Sequence, residues 1–326
     1  MNELITILLA TYNGEQYLDE QMESLLNQTY TNWRLIIRDD NSTDNTPAIL
    51  EKYKLQYPDK INVLPNNGVN LGSILNFSTL LTFAQDAQYI MLCDQDDKWK
   101  KDKIVITFSK LRELEQQYGK RCPLLVYTNF QYVDETMQVI ESKKNFEINR
   151  IQNFGFSHLL AHNPVYGCTS IFNRALADKV DAIPAQVENH DYWIALVAAA
   201  FGKLYYLNEK TILYRQHSRN VSGNFDNDTF SKRFQRILVN KRNFKDAEKK
   251  HAMLTTFKEI YGGTLDKRLA HILDNFLCFF SSKNLLCMLK SIKAGTRCRT
   301  FMQSILLYTT IFLNNFSPSK PLYKKK

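Results

Sequence analysis

The 326-residue chain contains nothing close to the ~18 consecutive apolar residues that a membrane-spanning helix needs. Its longest candidate, Ile305 to Phe316, is too short and is interrupted by Thr309, Thr310, Asn314 and Asn315. There is no basic stretch followed by an apolar one at the start. Met1 leads through Asn2 and Glu3 straight into a strand-like run, so no secretory leader is expected. The six cysteines (Cys93, Cys122, Cys168, Cys278, Cys287 and Cys298) include no CxxC pair. They read as reduced thiols of a cytosolic protein rather than as a zinc site or a disulfide framework. Neither an internal repeat nor a low-complexity linker is found. What is present is ordinary for a folded chain able to bury a sizeable core: 44% hydrophobic and 23% charged residues.

Charge is unevenly divided. Residues 1–231 carry 22 Lys+Arg against 28 Asp+Glu, a net of −6, whereas residues 232–326 carry 20 against 5, a net of +15. An acidic-leaning part joined to a strongly basic one predicts regions with different partners. The junction is expected near residues 222–230, giving a domain of residues 1–225 and a basic helical region of residues 226–326.

Leu4–Leu9 is a continuous apolar run, as in a strand buried on both faces of a parallel sheet. Helical spacing follows over Glu15–Asn27, then a strand at Trp33–Ile37, a helix capped by Ser42 or Thr43, a strand at Ile61–Leu64, a helix at Leu71–Phe83 and a strand at Tyr89–Cys93. This alternation predicts a doubly wound α/β sheet. Farther on, Leu124–Val133, Gly167–Phe172, Lys203–Leu207 and Thr211–Tyr214 read as strands and Asn189–Phe201 as a helix. From about Asp226 only helical patterns remain, including Phe230–Tyr261 and Leu265–Phe280.

Ligands bind such sheets beyond the carboxyl ends of the strands. Three strand ends carry polar clusters here: Thr11-Tyr12-Asn13-Gly14, Arg38-Asp39-Asp40-Asn41-Ser42 and Asp94-Gln95-Asp96-Asp97. Turn chemistry would explain any one of them; three in register point to a site. Packed carboxylates raise one another's pKa unless a cation neutralises them, and Mg²⁺ or Mn²⁺ held by one or two carboxylates and phosphate oxygens is the natural partner. Asp97 is expected to cap a helix over Lys98–Lys110.

The runs ITILLATYNGEQYLDEQMESLLNQTY, WRLIIRDDNSTDNT and YIMLCDQDDKWKKDKI resemble the inverting family 2 glycosyltransferases of GT-A fold, over about residues 3–222. The resemblance implies a GT-A domain followed by the C-terminal helical region, with DQDD as the DXD motif. It implies that Thr11 and Tyr12 contact the nucleotide base and that Asp40 binds base or ribose. Asn13, Glu15, Ser42, Asp94 and Gln95 join them on the nucleotide sugar, and Asp96 with Asp94 holds the metal. NPVYGCTSIFNRAL matches the acceptor-side segment, with Gly167 and Cys168, and Trp193 is placed on the same side. Asp191 in Asn189–Trp193 stands where the family has its general base; read without the family, Asn189 or Asp191 could equally cap the helix. YRQHSRNVSG, with DQDDKW and HDYW, resembles the rhamnosyltransferase branch, although Tyr192 stands where that branch usually has Trp. Arg215, His217 and Arg219 share a strand face at period two and could meet the diphosphate or the metal.

These features predict a single in-line displacement with one base and one metal. The donor is expected to be dTDP-L-rhamnose and the acceptor a glycan or a lipid-linked one. The enzyme is expected in the cytoplasm, peripheral at the inner face of the membrane through its basic helices. A UDP-hexose donor is an alternative. A nucleotidyltransferase would need a basic triphosphate loop after the first strand, which TYNGEQYL lacks. A nucleic-acid-binding role for the basic third has no motif behind it, so nucleic acid is not an expected partner.

Overall fold

The computed structural model describes residues 2–141, 154–217 and 241–314, with the side chains of 241–244 left aside. The YRQHSRNVSG segment beyond His217, the helical pattern before Lys241 and the terminal lysines lie outside the described residues. Two compact units are present. The first comprises Met1–Asn153, Val165–Ile183 and Gly202–Asn224, and the second Phe154–Pro164, Pro184–Phe201 and Phe225–Lys326.

The first unit is built on an eight-stranded sheet of order β3-β2-β1-β4-β7-β6-β8-β5. Strands β1 (Ile5–Thr11), β2 (Trp33–Asp39), β3 (Ile61–Leu64) and β4 (Tyr89–Cys93) run parallel, with β1 between β2 and β4. Ile5, Ile7, Leu8 and Leu9 are fully buried, as a strand covered on both faces requires. The crossovers are α1 (Leu18–Leu26), α2 (Thr46–Gln56) and α3 (Gly72–Thr82). In α1 the buried side is Leu18, Met22 and Leu25, the i, i+4, i+7 stripe seen in the sequence. The sheet reverses after β4: β7 (Ser170–Asn173) is antiparallel to both β4 and β6 (Leu124–Val133), and β8 (Lys203–Arg215) runs parallel to β6. The result is an α/β fold of GT-A type. Helix α4 (Lys103–Tyr118) covers β6 and β7, and α6 (Arg174–Val180) opens on Asn173, whose side chain accepts the Leu176 N–H as an N-cap.

Several local expectations are corrected. The two short strands expected at Lys203–Leu207 and Thr211–Tyr214 are one strand, because register shifts opposite Thr128 and Asn129 absorb the polar Asn208-Glu209-Lys210 insert. Gly167–Thr169 forms a 3₁₀ turn before β7 rather than the start of a strand. Lys98–Trp99 is not helical; it makes the edge strand β5, antiparallel to β8, and the helix begins at Lys103. Asp97 therefore caps nothing. Neither Ser42 nor Thr43 caps α2; the carboxylate of Asp44 accepts the Thr46 N–H at 3.0 Å instead.

The second unit is helical: α5 (Phe156–Ala161), α7 (His190–Phe201), α8 (Lys241–Tyr261), α9 (Lys267–Ser282), α10 (Leu285–Lys293) and α11 (Phe301–Leu313). Its core is aromatic. Trp193 meets Phe257 and Tyr261 at centroid distances of 5.6 and 5.9 Å, and Phe279 meets Tyr308 at 5.5 Å. Starts of helices are specified by sequence: Asp266 caps α9, Asn284 caps α10, and Thr300 with Gln303 forms a capping box on α11. The short turn between α9 and α10 brings Cys278 and Cys287 together as a disulfide, which corrects the expectation of six reduced thiols. Among the described residues no helix is long and apolar enough to cross a membrane.

Candidate active site

At the carboxyl end of β1 the chain turns through Asn13, whose φ of 48° is tolerated by a short amide side chain. Thr11 Oγ1 donates to Asp39 Oδ1 (2.9 Å), and Ser42 donates to the same carboxylate through both its N–H (2.8 Å) and its hydroxyl (2.6 Å). The Ser42 hydroxyl in turn accepts the Asn13 N–H at 2.8 Å. Glu15 accepts from the Asn45 N–H and side-chain amide at 2.9 and 2.7 Å. These bonds join the first two polar clusters into one network, with Asp39, given no role of its own on sequence grounds, at its centre.

Asp40 is almost wholly buried. Its carboxylate pairs with Arg38 (2.6 Å) and accepts the N–H groups of Leu71 and Gly72 at 2.8 and 2.7 Å. It holds the start of α3 and Arg38 in place, while Tyr12, half-exposed, offers an open ring.

The third cluster is stitched to the first by Gln95. Its Oε1 accepts the Tyr12 N–H (2.8 Å) and its Nε2 donates to the Tyr12 carbonyl (2.9 Å). A Cβ on Gly14 would fall on the Gln95 carboxamide, so a larger residue there would displace Gln95 from Tyr12. Asp96 Oδ2 lies 2.9 Å from His217 Nε2, and the His217 ring lies 5.0 Å from that of Tyr17. Arg215, expected on the donor, is instead a buried tether. Its Nε donates to the Asp96 carbonyl (2.9 Å), its Nη1 to the Glu135 carbonyl (2.6 Å), and its Nη2 pairs with Glu20. Asp97 accepts the Arg215 N–H at 3.2 Å.

Below this, ligand atoms of Asp94, Asp97 and Cys168 lie within 4.8 Å of one another. Burial first, then the charges of Asp96 and Asp94, pushes the Asp97 carboxyl well above the usual carboxylate range. Lys103, fully buried with its ammonium 4.4 Å from the Trp99 ring centroid, is lowered to about 8 by burial. A carboxylate group this crowded suits a cation. Asp96, paired with His217 at 2.9 Å, is the more exposed of that pair and offers the hard oxygens that Mg²⁺ or Mn²⁺ takes; Cys168 is a soft ligand in the core and suits neither ion. Cys168 and Gly167, expected on the acceptor side, are both buried in the 3₁₀ turn.

In the second unit Asp191 sits in the first turn of α7, and the Asn163 side-chain amide donates to its Oδ1 at 3.1 Å. Trp193 is corrected from acceptor contact to core residue: it is 0% exposed and packed on Phe257. The adjacent Tyr192 hydroxyl donates to the Leu159 carbonyl and accepts from Lys250 Nζ (3.0 Å), which also pairs with Glu188 at 2.9 Å. Burial would depress the Lys250 ammonium, but Glu188 and Tyr192 outweigh it and raise its pKa. His162 is pushed down to about 4 by burial, Lys250 and Arg299, and His190 to about 3 by burial, so both are neutral imidazoles. Breaking a buried pair strands a charge, so Lys250→Met should cost roughly 2–3 kcal/mol of stability, somewhat discounted because Glu188 is partly exposed. Adding Glu188→Leu should recover most of that; urea midpoints of the two variants check it.

Residues 6–171 match the model of Glycosyl transferase family 2, about half of the chain. The chain belongs to this family. Among curated relatives, this glycosyltransferase is 28% identical over 240 residues to the dTDP-rhamnosyl transferase RfbG of Shigella flexneri, covering 70% of this chain and 78% of that protein. It is 26% identical over 227 residues to the putative teichuronic acid biosynthesis glycosyltransferase TuaG of Bacillus subtilis, covering 68% and 82%. Among solved structures, the mannosyltransferase PcManGT of Pyrobaculum calidifontis with GDP-Man and Mn²⁺ superposes with a TM-score of 0.56 at 15% identity, over 95% of this chain and 79% of that one. S. aureus TarS 1-349 with UDP-GlcNAc gives 0.55 at 14%, over 89% and 79%. At such identities the two structures establish the fold alone.

Proposed function

We propose that this family 2 glycosyltransferase transfers L-rhamnose from dTDP-L-rhamnose, with inversion, onto a glycan or lipid-linked acceptor in cell-surface polysaccharide synthesis. The observation that carries the reading is the convergence of the β1, β2 and β4 ends, with Tyr12 open, Gln95 clamped to it and Asp96 beside His217. Thr11, Tyr12, Asn13, Glu15, Ser42 and Gln95 form the nucleotide side, in part through backbone they hold in place. Asp94, Asp96 and His217 would hold a divalent metal. When bound, the ion would offset charge on the departing diphosphate, as GDP-Man and Mn²⁺ occur together in the mannosyltransferase neighbour. Asp191, oriented by Asn163, accepts the proton of the acceptor hydroxyl as that oxygen attacks the anomeric carbon. No general acid is needed, because a nucleoside diphosphate departs as a stable anion.

Support for rhamnose comes from DQDDKW, HDYW and YRQH in one chain and from the name of the RfbG relative. A polymeric acceptor is consistent with the name of the TuaG relative, a putative teichuronic acid biosynthesis glycosyltransferase. The basic helices would keep the enzyme at the inner face of the cytoplasmic membrane, where such acceptors are made. The test is turnover of a donor panel with Mg²⁺ or Mn²⁺: dTDP-β-L-rhamnose should be preferred at least tenfold over UDP-glucose, UDP-galactose, UDP-GlcNAc and GDP-mannose, giving an α-linked product. Preference for a UDP-hexose would retire rhamnose and leave the glycosyltransferase intact. Turnover of none of them would count against the donor reading altogether.

A further inference from the structure

Of the seventeen large apolar side chains exposed among the described residues, nine lie between Leu285 and Leu313. On α10, Leu285, Leu289 and Ile292 recur at i, i+4 and i+7, one stripe of the helix, with Leu286 beside them. Leu286, Lys290 and Lys293 form the neighbouring stripe at the same spacing, and Ser291 on the opposite side is buried. On α11, Phe301 (79% exposed) and Met302 at the start of the helix and Phe312 and Leu313 at its end are exposed, whereas Tyr308 and Ile311 between them are buried. The aromatics of α9 do not contribute: Phe276, Phe279 and Phe280 are fully buried. Apolar surface concentrated this way marks an interaction site rather than scattered exposure.

Charge selects the occupant. No Asp or Glu follows Asp274 in the chain, whereas nine Lys or Arg do, and Lys290, Lys293 and Arg297 are exposed. A second copy would set this positive face against its like. A nucleic acid lying on α10 would meet leucine and isoleucine where stacking needs rings. Leucines lying beside lysines on a short helix, in a stretch of sequence without Asp or Glu, match the acyl–headgroup boundary of an anionic bilayer.

Resting on the membrane-surface reading above, we infer that the exposed faces of α10 and α11 are the bilayer-binding surface, with Leu285, Leu286, Leu289 and Ile292 entering the acyl boundary and Lys290 and Lys293 meeting anionic headgroups. The full chain is co-sedimented with phosphatidylcholine vesicles with and without phosphatidylglycerol, at low and high salt. Binding is expected only with phosphatidylglycerol and should weaken with salt. Leu286→Ser with Leu289→Ser should lower partitioning at least about tenfold. Lys290→Gln with Lys293→Gln should lower it roughly thirtyfold. Leu55→Ser, an exposed leucine on α2, should change nothing. All these positions are on the surface, so unchanged circular dichroism and donor binding are expected throughout.

If the parent chain binds and the leucine variant binds equally, this face is wrong and the membrane reading survives. If the parent binds neither vesicle, both fail. A dimer in sedimentation velocity that the leucine variant abolishes would give the face to a second copy and overturn the inference.

Discussion

Asp191→Asn should lower turnover by roughly 10³-fold while leaving donor affinity within about twofold of the parent, since a general base contributes about 10²–10⁴ and acts on the acceptor hydroxyl alone. The substitution keeps shape and a hydrogen-bonding oxygen for Asn163, whose amide donates to Oδ1 at 3.1 Å, so α7 should keep its first turn. What is lost is the ability to take a proton. Asp191 also lies at a helix N-terminus, where an acidic side chain stabilises by about 0.3–1 kcal/mol in any case. A purely structural role would therefore appear as a small loss of stability with turnover nearly unchanged. Single-turnover rates, a titration with the donor and a melting curve on the same variant separate the two outcomes. Loss of donor affinity in parallel with turnover would remove Asp191 from the role of base.

Asp96→Asn should have the opposite signature: transfer falls by at least about 10³-fold and donor affinity falls with it. A bound divalent ion contributes several kcal/mol of charge stabilisation, and each 1.36 kcal/mol is a factor of ten. Asp96 is the more accessible carboxylate of DQDD, 2.9 Å from His217, whereas Asp97 is enclosed and hydrogen-bonded to the backbone of Arg215. Chelating divalent ions should reproduce the loss in the parent enzyme, and excess Mn²⁺ or Mg²⁺ should restore it there but not in the variant. His217→Gln should raise the metal concentration needed for half-maximal transfer without abolishing transfer. Full activity of Asp96→Asn in metal-free buffer would end the metal assignment.

The parallel half of the sheet was readable because β1 and β4 at its centre are nearly continuous apolar runs, as burial on both faces requires. Its polar strand ends were readable because three of them coincide at one edge. The later strands were harder. Asn208-Glu209-Lys210 looks like a loop, and only the register shift against β6 carries it through as strand. The letters DQDD do not say which carboxylate faces outward; the Arg215 backbone, 118 residues away, decides that for Asp97. Trp193 reads as a surface aromatic beside Asp191 until the period of α7 turns it onto Phe257. The Lys250 pair with Glu188 spans 62 residues and leaves no local pattern at either end. Cys278 and Cys287 sit nine residues apart, a spacing that has meaning only once a tight helix–turn–helix folds it back.

Gln95 does at the rim of the sheet what a peptide group does inside it. Its carboxamide gives Tyr12 both an acceptor and a donor, the pair of bonds a neighbouring strand would have supplied. Main chains that would otherwise remain zipped together can part there without leaving an amide or carbonyl unsatisfied. The β1 and β4 ends, paired as far as Leu9 and Cys93, thus part beside Tyr12 while its amide and carbonyl stay satisfied. The middle letter of D-x-D is therefore not free in this protein. Glutamate would lack the donor, leucine both groups, and asparagine would be one methylene short of reaching across.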